Sequence, residues 1–296
     1  MLGLSKHRGT MACRNPAATV RPKVARIMAY RLIALDIDGT IRSTDHAMSD
    51  RTRSAIDEVR ERGVIVTLAT GRTFRSAIAV ATELALTSPI ISFQGAHVAD
   101  PETGDVLLHR PLTADMAVAA LDVLESWDRE VLAYLEDRVY ANKLTPWVEA
   151  YGERNRGQVS VADDLRSLAT KGLTRLVAVG EDADVLGLEE GMRSTFDSRL
   201  LVTRSLPYFC EILHREGGKD NALAWLCRRL GIEQRETIAF GNGYNDVDML
   251  RWAELGVAVS GAVPEAIEVA DVVAPPLEED GPAAVLEDLV KRGFLG

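Results

Sequence analysis

The sequence predicts an α/β protein: a Rossmann-like, doubly wound parallel sheet core with an inserted α+β cap domain. Three observations predict it. Short apolar runs alternate with stretches of helical periodicity. Several of those runs end directly in Asp, Gly or Asn. The alternation changes character near residue 95 and resumes near residue 207. Continuous apolar strands separated by helices are the mark of a parallel sheet covered on both faces.

The elements follow in order. Residues 31–35 form a first strand that stops at Asp36-Ile37-Asp38-Gly39. A helix over 49–62 starts at Ser49 or Asp50, and Gly63 lies just past its end. Residues 64–69 are a β-branched strand ending at Thr70-Gly71-Arg72, a helix follows to about residue 86, and 89–93 is a third strand. Two strand-like pieces over 96–108 flank the turn Pro101-Glu102-Thr103-Gly104. Residues 114–129 and 182–198 read as helices, and 132–140, 175–180 and 200–205 as strands. Tyr134, Glu136, Arg138 and Tyr140 alternate on one cap strand pair and read as its solvated face, in preference to a face turned to the substrate. Gly218-Lys219-Asp220 opens a helix that Gly231 ends, and 237–240 is a strand running into Gly241-Asn242-Gly243-Tyr244-Asn245-Asp246. Strands at 257–259 and 271–273 and a helix over 282–291 close the chain. The expected organisation is a core of 28–94 and 207–296 interrupted by a cap of 95–206. Residues 1–27 are expected to be a disordered basic extension ahead of a natural start at Met28.

Composition narrows the function classes. Net charge is −10, and the first 27 residues carry six basic residues and no acid, leaving near −16 for the rest. An acidic body with 5% aromatic residues argues against a nucleic-acid partner. No apolar run approaches the ~18 residues of a membrane span. Three cysteines without metal-ligand spacing suit a reducing, cytoplasmic compartment. The five histidines show no metal-ligand spacing either.

The chemistry gathers where strands end, which is where open parallel sheets bind ligands. Asp36 and Asp38 lie at one such end, Thr70, Gly71 and Arg72 at a second, and Asn242, Asn245 and Asp246 at a third, with Lys219 at a helix start. Hydroxyl, backbone N–H and ammonium groups suit a phosphate. Carboxylates beside them would repel that phosphate unless a cation intervened, and Mg²⁺ prefers such oxygen ligands. Arg72 is expected to pair with an acid near its helix start.

These residues resemble the haloacid dehalogenase superfamily of hydrolases, in its Cof-like phosphatase group with a type IIB cap. The resemblance rests on Leu35-Asp36-Ile37-Asp38-Gly39-Thr40, Ala69-Thr70-Gly71-Arg72, Gly218-Lys219 and Gly241-Asn242-Gly243-Tyr244-Asn245-Asp246, in that order over residues 31 to about 290. It implies an Mg²⁺-dependent phosphatase acting on a small phosphorylated metabolite, such as a sugar phosphate, through an aspartyl-phosphate. Asp36 would be the nucleophile and Asp38 the acid and base. Asp36, the carbonyl of Asp38, Asn242 and Asp246 would serve the metal, Asp246 by orienting Lys219 or a metal-bound water. Ile37, Thr70, Gly71, Lys219 and Asn245 would hold the phosphate, with Lys219 also catalytic. The alternatives are a phosphomutase or phosphotransferase on the same fold, or a metal-weakened binding protein. Two positions depart from the family pattern: Asn242 replaces an aspartate metal ligand, and Gln94 replaces an asparagine before the cap. The first implies weaker metal binding.

Overall fold

The computed structural model describes residues 29–126, 128–154 and 159–295; the expected extension 1–27 and the start at Met28 lie outside them. The chain opens with β1 (Leu32–Leu35), α1 (Asp50–Glu61), β2 (Ile65–Leu68), α2 (Phe74–Glu83), β3 (Ile90–Ser92), β4 (His97–Ala99) and β5 (Val106–His109). It continues through α3 (Ala114–Ser126), β6 (Glu130–Leu135), β7 (Arg138–Ala141), α4 (Pro146–Arg154), β8 (Val159–Val161), β9 (Arg175–Val179), α5 (Asp182–Phe196), β10 (Leu200–Thr203) and β11 (Phe209–His214). It ends with α6 (Lys219–Leu230), β12 (Thr237–Gly241), α7 (Val247–Trp252), β13 (Leu255–Ser260), α8 (Pro264–Val269), β14 (Val272–Pro276) and α9 (Gly281–Lys291).

The core sheet has the order β14-β13-β12-β1-β2, and every pair is parallel. β1 lies between β12 and β2, and all four of its residues are fully buried. Such strands are built from residues whose burial is worth roughly 1.5–3 kcal/mol each for Leu and Ile. Ile56, Val80 and Leu286 bring α1, α2 and α9 onto one face. Leu226, Met249 and Ala266 bring α6, α7 and α8 onto the other. The helices begin where local chemistry allows: the Ser49 hydroxyl accepts from Thr52 N at 3.0 Å to cap α1.

The second layer is a six-stranded sheet of order β10-β11-β9-β6-β7-β8, antiparallel except between β7 and β8. α3 and α5 cover one face through residues such as Leu121 and Met192. The opposite face packs on Phe93 and Ala96 of the core. The junctions differ from those expected. β11 lies in residues assigned to the core, yet it pairs with β9 and β10 in the cap sheet. β4 and β5 lie in residues assigned to the cap, yet β4 pairs antiparallel with β3 and β5 with β4, and β3 itself bridges to Ala69 beside β2. The strands of the second sheet, β6 to β11, lie between Glu130 and His214, so its last strand falls beyond the expected cap limit of 206. Residues 132–140 are not one strand but the hairpin β6–β7, turned at Glu136 with φ 53°. Tyr134 is buried, not part of a solvated face.

The chain crosses between layers twice, side by side. Gly218 N donates to Gln94 O at 2.8 Å, and Arg110 Nη1 donates to Glu216 O at 2.6 Å. The crossing is tight at Gly95: its φ is +89°, and a Cβ there would stand 2.0 Å from Gly218 O. Only glycine meets both demands. Among the described residues no helix is long and apolar enough to cross a membrane. Cys210 and Cys227 are free and buried, and burial pushes their thiols up to about 12 and about 11.

Candidate active site

β12, β1 and β2 are neighbours and parallel, so their carboxyl ends deliver three loops to one edge of the sheet. The first holds Asp36, 5% exposed and directly beyond buried Leu35. Lys219, at the start of α6, reaches this edge from behind. Its Nζ donates to Asp36 Oδ1 at 2.7 Å and to Asp246 Oδ1 at 2.6 Å, and all three groups are buried. Asp246 Oδ2 accepts from Asn242 N and Gly243 N, each at 2.9 Å. Both Asp246 oxygens are therefore engaged with the protein. Of the roles expected of Asp246, these contacts suit the orienting of Lys219, and they also shape the loop after β12.

The electrostatics follow from this crowding. Burial raises the Asp36 carboxyl to about 7, Asp246 and Asp38 add to the rise, and Lys219 opposes it. Burial works against the Lys219 ammonium, but Asp246 and Asp36 outweigh it and the group is held charged.

Asp38 faces elsewhere. Its side chain is 55% exposed and is gripped by Arg72, with Nη2 donating to Oδ1 at 2.6 Å and Nε to Oδ2 at 2.8 Å. Arg72 thus pairs with an acid of the β1 loop rather than one at its own helix start. Thr70 is buried, its hydroxyl accepting from Arg72 N at 3.2 Å. Among the described residues, neither Ile37 N–H nor Gly71 N–H has a protein acceptor. These are the two backbone donors expected to meet a phosphate. Asn245 is half-buried beside them, its Nδ2 donating to Gln94 Oε1 at 2.8 Å.

The oxygens at this edge test the fit of a divalent cation. One terminal atom of the Asn242 side chain lies 2.9 Å from the Asp38 carbonyl, 3.3 Å from Asp36 Oδ2 and 3.0 Å from Thr40 Oγ1. With its nitrogen there, the two Asn242 N–H groups have all three oxygens within reach as acceptors. With its oxygen there, it accepts from the Thr40 hydroxyl at 3.0 Å and completes a triangle of oxygens with Asp36 and Asp38. Ligands about 2.1 Å from an octahedral Mg²⁺ stand about 3.0 Å apart along each edge. The donor set fits a cation, with one carboxylate, one carbonyl and one neutral amide. Among the described residues no group of three His, Cys, Asp or Glu side chains could hold a metal.

Sequence reading passed over Arg175 and Glu211, which approach the same loops from the cap. Arg175 Nη1 donates to Glu211 Oε2 at 2.6 Å and to Gly71 O at 2.8 Å. The signal was present: each is a lone charge inside an apolar strand, and buried charges need a purpose. Arg204 adds a third cap contact, its guanidinium 4.2 Å from the centre of the Tyr244 ring.

The pattern for haloacid dehalogenase-like hydrolases matches residues 33–286. The chain belongs to that family, and within it to the phosphatases. It is 29% identical over 236 residues to the HMP-PP phosphatase of Serratia proteamaculans, covering 80% of this chain and 86% of that one. It is 29% identical over 261 residues to the 5-amino-6-(5-phospho-D-ribitylamino)uracil phosphatase YitU of Bacillus subtilis, covering 87% and 96%. A haloacid dehalogenase-like hydrolase from Bacteroides thetaiotaomicron superposes with a TM-score of 0.76 at 26% identity, over 88% of this chain and 99% of that one. A subclass IIB sugar phosphatase superposes at 0.77 and 20% identity, over 90% and 100%, a likeness of fold.

Proposed function

We propose that this protein is an Mg²⁺-dependent phosphatase that hydrolyses small phosphorylated metabolites through an aspartyl-phosphate at Asp36, in the cytoplasm. The observation that carries the reading is the buried Asp36–Lys219–Asp246 cluster, set at the strand ends beside two backbone N–H groups without protein acceptors. The names of the relatives support the substrate class, since each describes a small phosphorylated compound.

Asp36 attacks phosphorus, forming a carboxylate oxygen–phosphorus bond as the bond to the leaving oxygen breaks. Asp38 gives that oxygen its proton, which requires it to leave Arg72 and turn inward. In the second half, Asp38 takes a proton from water, the water oxygen bonds to phosphorus, and Asp36 is released. Thr70, the N–H groups of Ile37 and Gly71, Lys219 and Asn245 hold the phosphoryl oxygens. Their fixed donors meet charge as it develops, without reorganising. Asp36, the Asp38 carbonyl and Asn242 would hold the Mg²⁺. When bound, the ion supplies positive charge that favours an ionised Asp36 and offsets its repulsion of the phosphate.

The test is phosphate release from para-nitrophenyl phosphate and a panel of phosphorylated metabolites. Wild type with Mg²⁺ should turn over, and Asp36→Asn should not. Turnover by Asp36→Asn comparable to wild type would overturn the assignment of the nucleophile. Phosphate release from no compound would overturn the activity itself.

A further inference from the structure

Gln94 joins the cap to the phosphate loops. It sits in the left-handed region (φ 55°, ψ 29°) between Phe93 at φ 48° and Gly95 at φ 89°. Three successive residues in this region bring its side chain into the junction, where it is 1% exposed. Gln94 Nε2 donates to Glu211 Oε1 at 2.9 Å, and Gln94 Oε1 accepts from Asn245 Nδ2 at 2.8 Å. Glu211 Oε2 accepts from Arg175 Nη1 at 2.6 Å, and the same nitrogen donates to Gly71 O at 2.8 Å. The Ser205 hydroxyl also donates to Glu211 Oε1. Gly71 and Asn245, two residues expected at the phosphate, are thus the two ends of one hydrogen-bonded chain. Its middle, Glu211 and Arg175, belongs to the cap.

We infer that Gln94, Glu211 and Arg175 are positioning residues that set Asn245 and the Gly71 turn for phosphate, so that the phosphate grip forms only when the cap is seated. The inference rests on the phosphatase reading. A carboxylate accepts and does not donate. Glu211 therefore obliges Gln94 to turn its nitrogen toward the cap and its oxygen toward Asn245. That oxygen in turn obliges Asn245 to present its nitrogen, and the second hydrogen on Nδ2 is left for a phosphoryl oxygen. The charge of one cap residue thus fixes the polarity of two amides. Arg175 pairs with Glu211 in the buried junction: burial opposes the guanidinium's charge, but Glu211 outweighs that and holds it protonated. It also pins the carbonyl of the turn that carries the Gly71 N–H. The packing leaves no slack, since a Cβ on Gly71 would meet Gln94 Nε2 at 2.4 Å.

The consequence is reciprocal, as linkage requires. A seated cap tightens the phosphate site, and a bound phosphate favours a seated cap. A substrate whose leaving group props the cap away loses its hold at the phosphoryl end as well, so the leaving group is selected at a distance.

The experiment is calorimetric titration with inorganic phosphate at saturating Mg²⁺. Glu211→Gln and Gln94→Leu are each measured with and without Asn245→Ala. Each alone should weaken phosphate binding about tenfold, the scale of one hydrogen bond to a charged group. Neither should add more than about twofold once Asn245 is alanine, because contacts acting through one partner are not additive. Gln94→Leu keeps the Arg175–Glu211 pair and so reads the link with the buried ion pair intact. The double variant Gln94→Glu/Glu211→Gln should recover binding to within about threefold of wild type, since the carboxylate at position 94 again only accepts from Asn245. Equal losses in both backgrounds would overturn the relay while leaving the phosphatase reading in place. Absence of phosphate binding by wild type would overturn both.

Discussion

Replacing Lys219 by methionine would remove the ammonium that lies between two buried carboxylates while keeping most of the side-chain volume. Its Nζ stands 2.7 Å from Asp36 and 2.6 Å from Asp246, with no side chain in the cluster more than 7% exposed. At an effective dielectric constant of about 20, each contact is worth about 6 kcal/mol before solvation is counted. Relief of the ammonium's own desolvation offsets much of this, and a broken buried pair typically costs about 3–5 kcal/mol. The cost should depend on pH. Asp36 already has its carboxyl raised to about 7, and without Lys219 it rises further. A raised carboxyl stabilises the fold when protonated and loses that contribution as pH rises through its folded value. In urea unfolding followed by circular dichroism in EDTA, Lys219→Met should therefore lose about 3–5 kcal/mol at pH 8 and distinctly less at pH 5.5. A loss below about 1 kcal/mol at pH 8, or the same loss at both pH values, would refute the reasoning.

Three further outcomes follow from the site and the junction. Asn242→Asp places a second charge among the oxygens of Asp36 and Asp38; melting temperature should fall in EDTA and rise more steeply with Mg²⁺ than in wild type, with half-saturation at about tenfold lower Mg²⁺. Asp38→Asn should lower kcat by about 10²–10⁴ with little change in KM, read from steady-state phosphate release. Burial lowers His97 from 6.5 to about 4, His109 adds to the shift and Asp137 opposes it. Because the folded value is the lower one, the stabilisation is complete above pH 6.5 and is lost as pH falls toward 4. At 1.4 kcal/mol per unit this is at most about 3 kcal/mol, and about 2 once solvent screening of the partly exposed ring is allowed for. His97→Gln should flatten the stability profile over that window in chemical denaturation.

The chemistry was more legible in the sequence than the junctions were. Asp36, Lys219 and Asp246 lie in motifs whose order and spacing survive any detail of packing, and the buried runs around Ile33, Val66 and Ile238 marked their strands by composition alone. Strand partners are different, because pairing is a non-local choice. Phe209-Cys210-Glu211-Ile212-Leu213 reads as a buried strand in either layer, and only its register with Arg175–Val179 assigns it to the cap. His97–Ala99 is the converse, a short strand whose partner is Ile90–Ser92. α7 and α8, of 6 residues each, are too short to display a helical period. Gln94 stood out only as a departure from a pattern; its partners are 117 and 151 residues away.

The paired crossings between layers set how the upper one can travel. Arg110 ties the outgoing strand of chain to the returning one, through the Glu216 carbonyl and, at 3.8 Å, its carboxylate. Two tethers leaving from one place behave as a single pivot. Such a pivot would allow swinging about its line and resist sliding, so that approach and withdrawal would follow one arc. A layer swinging on that pivot would bring Arg175 and Glu211 back over the same carbonyl and amide each time.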